Sequence, residues 1–337
     1  LRAADGTRIE TTEEIILQAL AIIKEEAGAD NVTISAGYVG LVPTAYTISA
    51  IHQWMRGPEE AFLRVVLRRG SGIKISDFKE HLRKELPRRL GDWLRQKLLA
   101  EGLSADKVDA QVRQLRLSFE PGDIINTVMS FGSPTPVEVA VSGRKMEDNR
   151  AYAAKIFEQL GRVRSLRDLQ IAQSLDYPAV EVRVDRERAG LSGVTAGDVS
   201  RSLVSATSSS RFVVLNFWAD PNTGIGYQVQ VEVPPFQMDS PNAVGMVPIK
   251  GKTDKHLLLR DVASIREGTM PGEYDRYNMR RVVSMTANIE GEDLGRVVQH
   301  VNEAIKSAGE PPRGVEVDVR GQIEPFQEMF RGLALGL

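Results

Sequence analysis

The sequence predicts an α+β fold of repeated strand–helix–strand units, one of them interrupted by an inserted segment. Three observations carry this prediction. Apolar residues alternate with polar ones in many short stretches, and amphipathic helical stretches lie between them. Two strand–helix–strand blocks of the same plan also stand about a hundred residues apart.

Strict alternation places every apolar residue on one face of a strand, because successive side chains point to opposite faces. It recurs at Leu115, Leu117 and Phe119; at Val137, Val139 and Val141; and at Val180, Val182 and Val184. Downstream it returns at Tyr227, Val229, Val231 and Val233; at Val283, Met285, Ala287 and Ile289; and at Val315, Val317 and Val319. A doubly wound parallel sheet would show continuous apolar runs instead. The pattern therefore predicts antiparallel or mixed sheets with helices on one face.

In chain order, a helix over Thr11 to Glu26 leads to a strand over Asn31–Ala36, and Gly37 to Pro58 reads as a long irregular segment. A strand over Ala61–Arg68, a helix over Ser76 to Leu99 and a strand at Leu115 follow. Val137–Val141, the helix Met146–Leu160 and a strand near Leu166–Ala172 make a complete βαβ block. Its counterpart is Val282–Ile289, the helix Asp293–Ala308 and Val315–Val319 after the Pro311-Pro312 loop. The interruption from Asp176 to Gly272 is far longer than an ordinary connection, so it holds a domain of its own. That insertion has turns at Asp220-Pro221-Asn222 and Val233-Pro234-Pro235 and a helix near Ala196–Ser205. Thr195 is placed to cap that helix by accepting from the amide of Gly197 or Asp198. The charged corner Asp185-Arg186-Glu187-Arg188 reads as exposed ion pairing at a strand end rather than as acid/base machinery.

Composition limits the function classes. Lys+Arg number 43 against Asp+Glu 45, a net charge of -2 that supplies no field for nucleic acid, and nucleic acid is not an expected partner. Without cysteine there is no disulfide or thiolate chemistry. His52, His81, His256 and His300 are scattered without metal-binding spacing, so no metal site and no cofactor are expected. There is no GxSxG elbow, phosphate loop or complete GxGxxG; Gly224-Ile225-Gly226 fits a hairpin, and no enzyme is predicted. The chain opens at Leu1 with no leader and contains no run of about 20 apolar residues, and so reads as a fragment or a processed product.

The stretch "PAVEVRVDRERAGLSGVTAGDV" resembles the large periplasmic loops of resistance-nodulation-division (RND) efflux transporters, of the hydrophobe–amphiphile type. "GTRIETTEEI", "PVEVAVSG", "LLLRDVASI", "YNMRRVVSMTANIEGEDLG" and "RGQIEPFQEMF" resemble the same family in the same order. The resemblance implies the loop between the seventh and eighth membrane helices. It implies two ferredoxin-like porter subdomains, at 1–125 and at 135–175 plus 273–322, with a mixed α/β docking subdomain at 176–272. Residues 323–337 would begin a membrane helix. The expected role is substrate capture and gating in a proton-driven multidrug pump of the bacterial inner membrane, exporting a small amphiphilic substrate. The partners it implies are a periplasmic adaptor (membrane fusion) protein, an outer-membrane channel and two further copies in a homotrimer.

By the same resemblance, Tyr38, Tyr46, Ile51, Trp54, Met129, Phe131 and Val137 are candidate substrate-facing residues, and Asp185 and Arg186 are candidates for docking and assembly. Residues 38–60 depart from the glycine- and phenylalanine-rich loop of the multidrug branch. The metal-exporting branch uses a methionine cluster, for which Met55, Met129 and Met146 would have to converge. A standalone periplasmic binding module and a purely structural assembly domain are the alternatives to a transporter segment.

Overall fold

The computed structural model describes residues 1–40, 55–120, 130, 133–251 and 257–336. They form two units, Leu1–Tyr177 with Pro271–Leu337, and Pro178–Met270. The larger unit contains two lobes with separate apolar cores.

In the first lobe, helix α1 (Ile9–Ala27) buries Ile15, Ile16, Ala19, Ile22 and Ile23, a stripe that recurs every three to four residues. Helix α2 (Ile75–Ala100) answers it with Leu82, Leu86, Leu90, Leu94 and Leu98, and helix α3 (Ala105–Gln114) adds Val108. Each fully buried leucine contributes about 2 kcal/mol of transfer free energy. Pro87 lies inside α2, where it lacks the N–H that would bond the carbonyl of Arg83. Strands β1 (Val32–Val39) and β2 (Ala61–Leu67) pair antiparallel, with Tyr38 opposite Phe62. The strand thus runs past Ala36, and the irregular segment does not begin at Gly37. The strand expected at Leu115–Phe119 is reduced to a single bridge, Arg116 to Arg2. Its partner segment is short because the chain turns at Gly6, whose φ of 82° suits glycine.

The second lobe contains β3 (Val137–Gly143), helix α4 (Met146–Leu160) and β4 (Leu166–Ile171). After the insertion come β11 (Arg276–Tyr277), β12 (Arg280–Ile289), helix α9 (Leu294–Ser307) and β13 (Glu316–Gly321). The strands order as β13–β3–β12–β4, all antiparallel, with β11 on the other end of β12. This is the split βαβ, ferredoxin-like arrangement in an α+β fold. Val137, Val139, Val141, Val283, Met285 and Ala287 point to the helices, where Ile156, Leu160, Val297 and Val301 meet them. Asp293 caps α9 by accepting from the Arg296 amide at 3.0 Å. Helix α10 (Ile323–Gly336) follows β13, and its first residue, Ile323, is buried in this core. Among the described residues no helix is long and apolar enough to cross a membrane.

One irregularity joins the lobes. Opposite Thr286–Asn288 the register of β4 shifts by one residue, and Asp168 in this bulge has φ 53°. A left-handed residue in a bulge re-aims its side chain, and aspartate tolerates that conformation better than most residues. The Asp168 carboxylate accepts from Arg83 on α2 (Nε at 3.0 Å, Nη2 at 2.9 Å), from the Phe119 amide at 3.1 Å and from Asn288 Nδ2 at 2.8 Å. Arg83 also pairs with Glu80 and stacks on the Phe119 ring. The side chains of Arg83 and Asp168 are largely shielded from water.

The inserted unit begins within β5 (Tyr177–Val184), which pairs with β10 (Ala263–Met270). Between them lie α5 (Arg186–Leu191), α6 (Ala196–Thr207), the hairpin β6 (Asn216–Ala219) and β7 (Gly226–Val229), and α7 (Pro241–Gly245). The short pair β8 (Pro248–Ile249) and β9 (Leu257–Leu258) and helix α8 (Leu259–Val262) complete it. Its core gathers Ala189, Val194, Val199, Val244, Val247, Ile249, Leu259 and Val262. Thr195 and Asp198 form a reciprocal capping box on α6. The alternation at Tyr227–Val233 does not mark a half-buried strand. Only Gly226–Val229 pair, and Tyr227, Val229 and Val231 are all exposed.

Candidate functional site

The second lobe's sheet has two faces, and a groove lies over the one turned away from α4 and α9 and reaches round the edge strand β13 to Asn302 of α9. On β3 and β12, Glu138, Val282, Ser284 and Thr286 alternate with the core residues and form the groove floor. The groove encloses about 900 Å³. Its walls come from Arg56, Asp275, Arg276 and Tyr277 on one side and from Asp318, Arg320 and, on α10, Glu324, Gln327 and Glu328 on the other. Arg320 stacks over the Tyr277 ring at 4.0 Å and bonds Asp318 at 3.2 Å, so its charge is locally compensated.

Hydrogen bonds run from the floor into the strand ends. Ser284 Oγ donates to Glu138 at 2.7 Å, and the Ser284 amide donates to Gln173 Oε1 at 3.0 Å. Gln173 Nε2 in turn donates to Asp275 at 2.5 Å. Arg56 donates to the Ala172 carbonyl at 3.1 Å and pairs with Glu273. Arg2 donates to the Ile171 and Ala172 carbonyls, both at 2.8 Å. Two arginines of the first lobe thus hold the end of β4. Burial, partly offset by Arg56 and reinforced by Asp275 and Glu60, pushes the Glu273 carboxyl up to about 7. Glu59 is buried and is likewise raised, chiefly by burial.

The candidate residues named from sequence are placed as follows. Tyr46, Ile51, Trp54, Met129 and Phe131 lie outside the described residues, as do His52 and His256. Tyr38 is exposed on β1. Val137 is 1% exposed and packs the second-lobe core, so it does not face a ligand; its neighbour Glu138 does line the groove. Met146 is buried in the same core and is not turned toward a shared site with Met55. Asp185 caps α5, accepting from the Glu187 and Arg188 amides at 3.1 Å, and Arg186 is exposed beside it. His81 meets Glu26 at 2.7 Å and His300 meets Glu292 at 3.1 Å. Among the described residues no three His, Asp or Glu side chains converge as a metal site. No sequence signal marks the groove's polar residues, because they occupy the strand positions that usually meet water.

A family model described as the AcrB/AcrD/AcrF family matches residues 94–334. Protein HelA of Legionella pneumophila is 26% identical over 209 residues, 60% of this chain and 19% of HelA. The cation efflux system protein CusA of Escherichia coli (strain K12) is 26% identical over 209 residues, 62% of this chain and 19% of CusA. The nickel-cobalt-cadmium resistance protein NccA of Alcaligenes xylosoxydans xylosoxydans is 24% identical over 209 residues, 60% of this chain and 19% of NccA. The chain spans about a fifth of the length of these relatives. The X-ray crystal structure of a heavy metal efflux pump, crystal form II, shares the fold, with a TM-score of 0.72 at 21% identity over 99% of this chain and 31% of that one. The extent of the family match, in chain order and with the same fold, makes this chain a member of the AcrB/AcrD/AcrF family of RND transporters.

Proposed function

We propose that the chain is the periplasmic porter and docking portion of a cation-exporting RND pump, and that the groove over the second-lobe sheet is a passage for the cation. The observation that carries this reading is charge. Five carboxylates line the groove (Glu138, Asp275, Asp318, Glu324, Glu328) against three guanidinium groups (Arg56, Arg276, Arg320). A concave surface with surplus negative charge concentrates cations and repels anions. The names of CusA and NccA, a cation efflux system protein and a nickel-cobalt-cadmium resistance protein, support the same cargo class. The small amphiphilic substrate of a multidrug pump gives way to a metal cation in this reading. The polar lining favours the change, since an apolar ligand would have to desolvate the wall carboxylates Asp318, Glu324 and Glu328.

In the intact pump, proton flow through membrane helices would drive the cycle. The two porter lobes, 1–125 and 135–175 with 273–322, would open and close around the cargo, with α10 leading toward the membrane. The unit built around 176–272 would meet the outer-membrane channel and neighbouring copies, with Asp185 and Arg186 at its charged corner, and an adaptor protein would complete the assembly. Because no three-ligand site exists among the described residues, the groove attracts the ion without chelating it.

Equilibrium dialysis with Zn²⁺ or Ni²⁺ at low ionic strength tests the reading. Weak, salt-sensitive binding is expected, falling about fivefold for each charge removed in Asp318→Asn and Glu324→Gln, as Coulomb attraction at about 8 Å in water requires. Binding that is absent, or indifferent to both substitutions, rejects it.

A further inference from the structure

Resting on the reading of the two lobes as moving parts, we infer that they are joined as a door. The Arg83–Asp168 contact is its hinge pin, and the grip of Arg2 and Arg56 on the end of β4 is a releasable bolt beside the groove. The joint does not depend on the cargo. Polar contacts between the lobes gather on one strand: β4 pairs with β12 in the second-lobe sheet, and first-lobe side chains fasten it at two places.

At the pin, one carboxylate gathers donors from both lobes. Asp168 accepts from Arg83 and the Phe119 amide of the first lobe and from Asn288 on β12, and Asn288 also donates to Ser118 Oγ at 3.2 Å. Glu80 and Arg167 pair across the same place at 3.3 Å, and Arg83 lies 3.9 Å from Glu290. The Arg83 and Asp168 side chains are 9% and 8% exposed, so water does not readily replace either partner. A shielded contact between full charges, with further donors on the same carboxylate, is the last to yield when the lobes part.

The bolt is made differently. Arg2 donates to the carbonyls of Ile171 and Ala172, and Arg56 to that of Ala172, neutral acceptors that give weaker bonds than a carboxylate. The Arg56 and Glu273 side chains that complete the bolt are 23% and 26% exposed, within reach of water. On release Arg2 keeps Glu60 as an ionic partner at 3.8 Å, and the Arg56 backbone stays anchored through its amide to Glu60 at 2.7 Å. Asp168 and Ala172 stand about 13 Å apart along an extended strand. A turn of roughly 15° about the pin carries the bolt roughly 3 Å, more than its hydrogen bonds can stretch. Arg56 lines the groove, so this turn opens the groove wall at Arg56 while the Arg83 side stays shut.

Double electron–electron resonance on the full chain, free of metal so that the outcome is separate from cation binding, tests the door. The chain has no cysteine, so spin labels attach only at Glu10→Cys on α1 and Arg144→Cys after β3, both exposed positions. With Arg2 and Arg56 in place one distance population is expected. Arg2→Met combined with Arg56→Met should add a second, longer population. In that variant the Phe119 amide, held by Asp168, should keep its slow hydrogen exchange, and so should Leu90 and Val139 in the cores of the two lobes. Two populations with both arginines in place, or one unchanged population in the variant, overturns the bolt. Faster exchange at Phe119 in the variant overturns the pin, since the lobes then part as a whole. Lost protection at Leu90 or Val139 overturns the door itself, because the arginines would then hold the lobes folded rather than together.

Discussion

Asp168→Ala should be among the most damaging single substitutions outside the apolar cores. The carboxylate is 8% exposed and its partner Arg83 is 9% exposed, so neither is well served by water when the other is removed. Asp168 accepts from three groups that have no other reason to converge: the Arg83 guanidinium, the Phe119 amide and the Asn288 side chain. Breaking a buried ion pair by deleting one member costs about 3–5 kcal/mol, mostly through the stranded charge. Arg83 keeps Glu80 as a partner, which places the expected loss at the lower end, about 3 kcal/mol. Alanine must also adopt the φ of 53° that aspartate accepts more readily. Asp168→Asn retains an acceptor for the Phe119 amide and tolerates that backbone, so about half the loss is expected. Urea unfolding followed by far-UV circular dichroism, with Arg83→Ala and the double variant completing a cycle, measures this. The double variant should lose little more than either single one. A loss under about 1 kcal/mol for Asp168→Ala at unchanged m-value would place the contact with surface ion pairs and refute the reasoning.

Two further outcomes are expected. Thr195→Ala removes the acceptor for the Asp198 amide and should cost about 1 kcal/mol, read as faster amide exchange in the first turn of α6. Gly321→Ala meets two obstacles, a φ of 81° and a new Cβ 2.9 Å from the Pro136 carbonyl carbon; it should cost about 2 kcal/mol or more in thermal or urea unfolding, and a neutral effect would show that the β13–β3 end can relax.

Much of the architecture is legible in the sequence because it rests on period. Val137, Val139, Val141 and Val283, Met285, Ala287 repeat every two residues, and a half-buried strand can satisfy that pattern in only one way. Val297, Val301 and Ala304 repeat at helical spacing, with Asp293 as a cap that needs no tertiary partner. The capping box at Thr195 and Asp198 and the hairpin around Gly224 are local for the same reason. The Leu115–Phe119 and Tyr227–Val233 alternations misled because period reports what a strand could bury, while pairing depends on a neighbour elsewhere in the chain.

The sequence by itself determined the class of fold, the order of elements and the family to which they belong. It even carried a trace of the bulge, since the spacing of Leu166, Leu169 and Ile171 slips from two to three at Asp168. Only the tertiary structure decided what the polar positions do. Glu138, Ser284 and Thr286 read as solvent-facing, yet they form the floor of a groove, with Ser284 and Thr286 buried and Glu138 half-buried. Glu273 and Arg56 are more than two hundred residues apart and carry no pattern that joins them. Hydrophobic periodicity is written locally because each element needs its own buried face. Charge compensation is not, because a carboxylate can be satisfied by any donor that the fold brings within 3 Å or so, from any point along the chain.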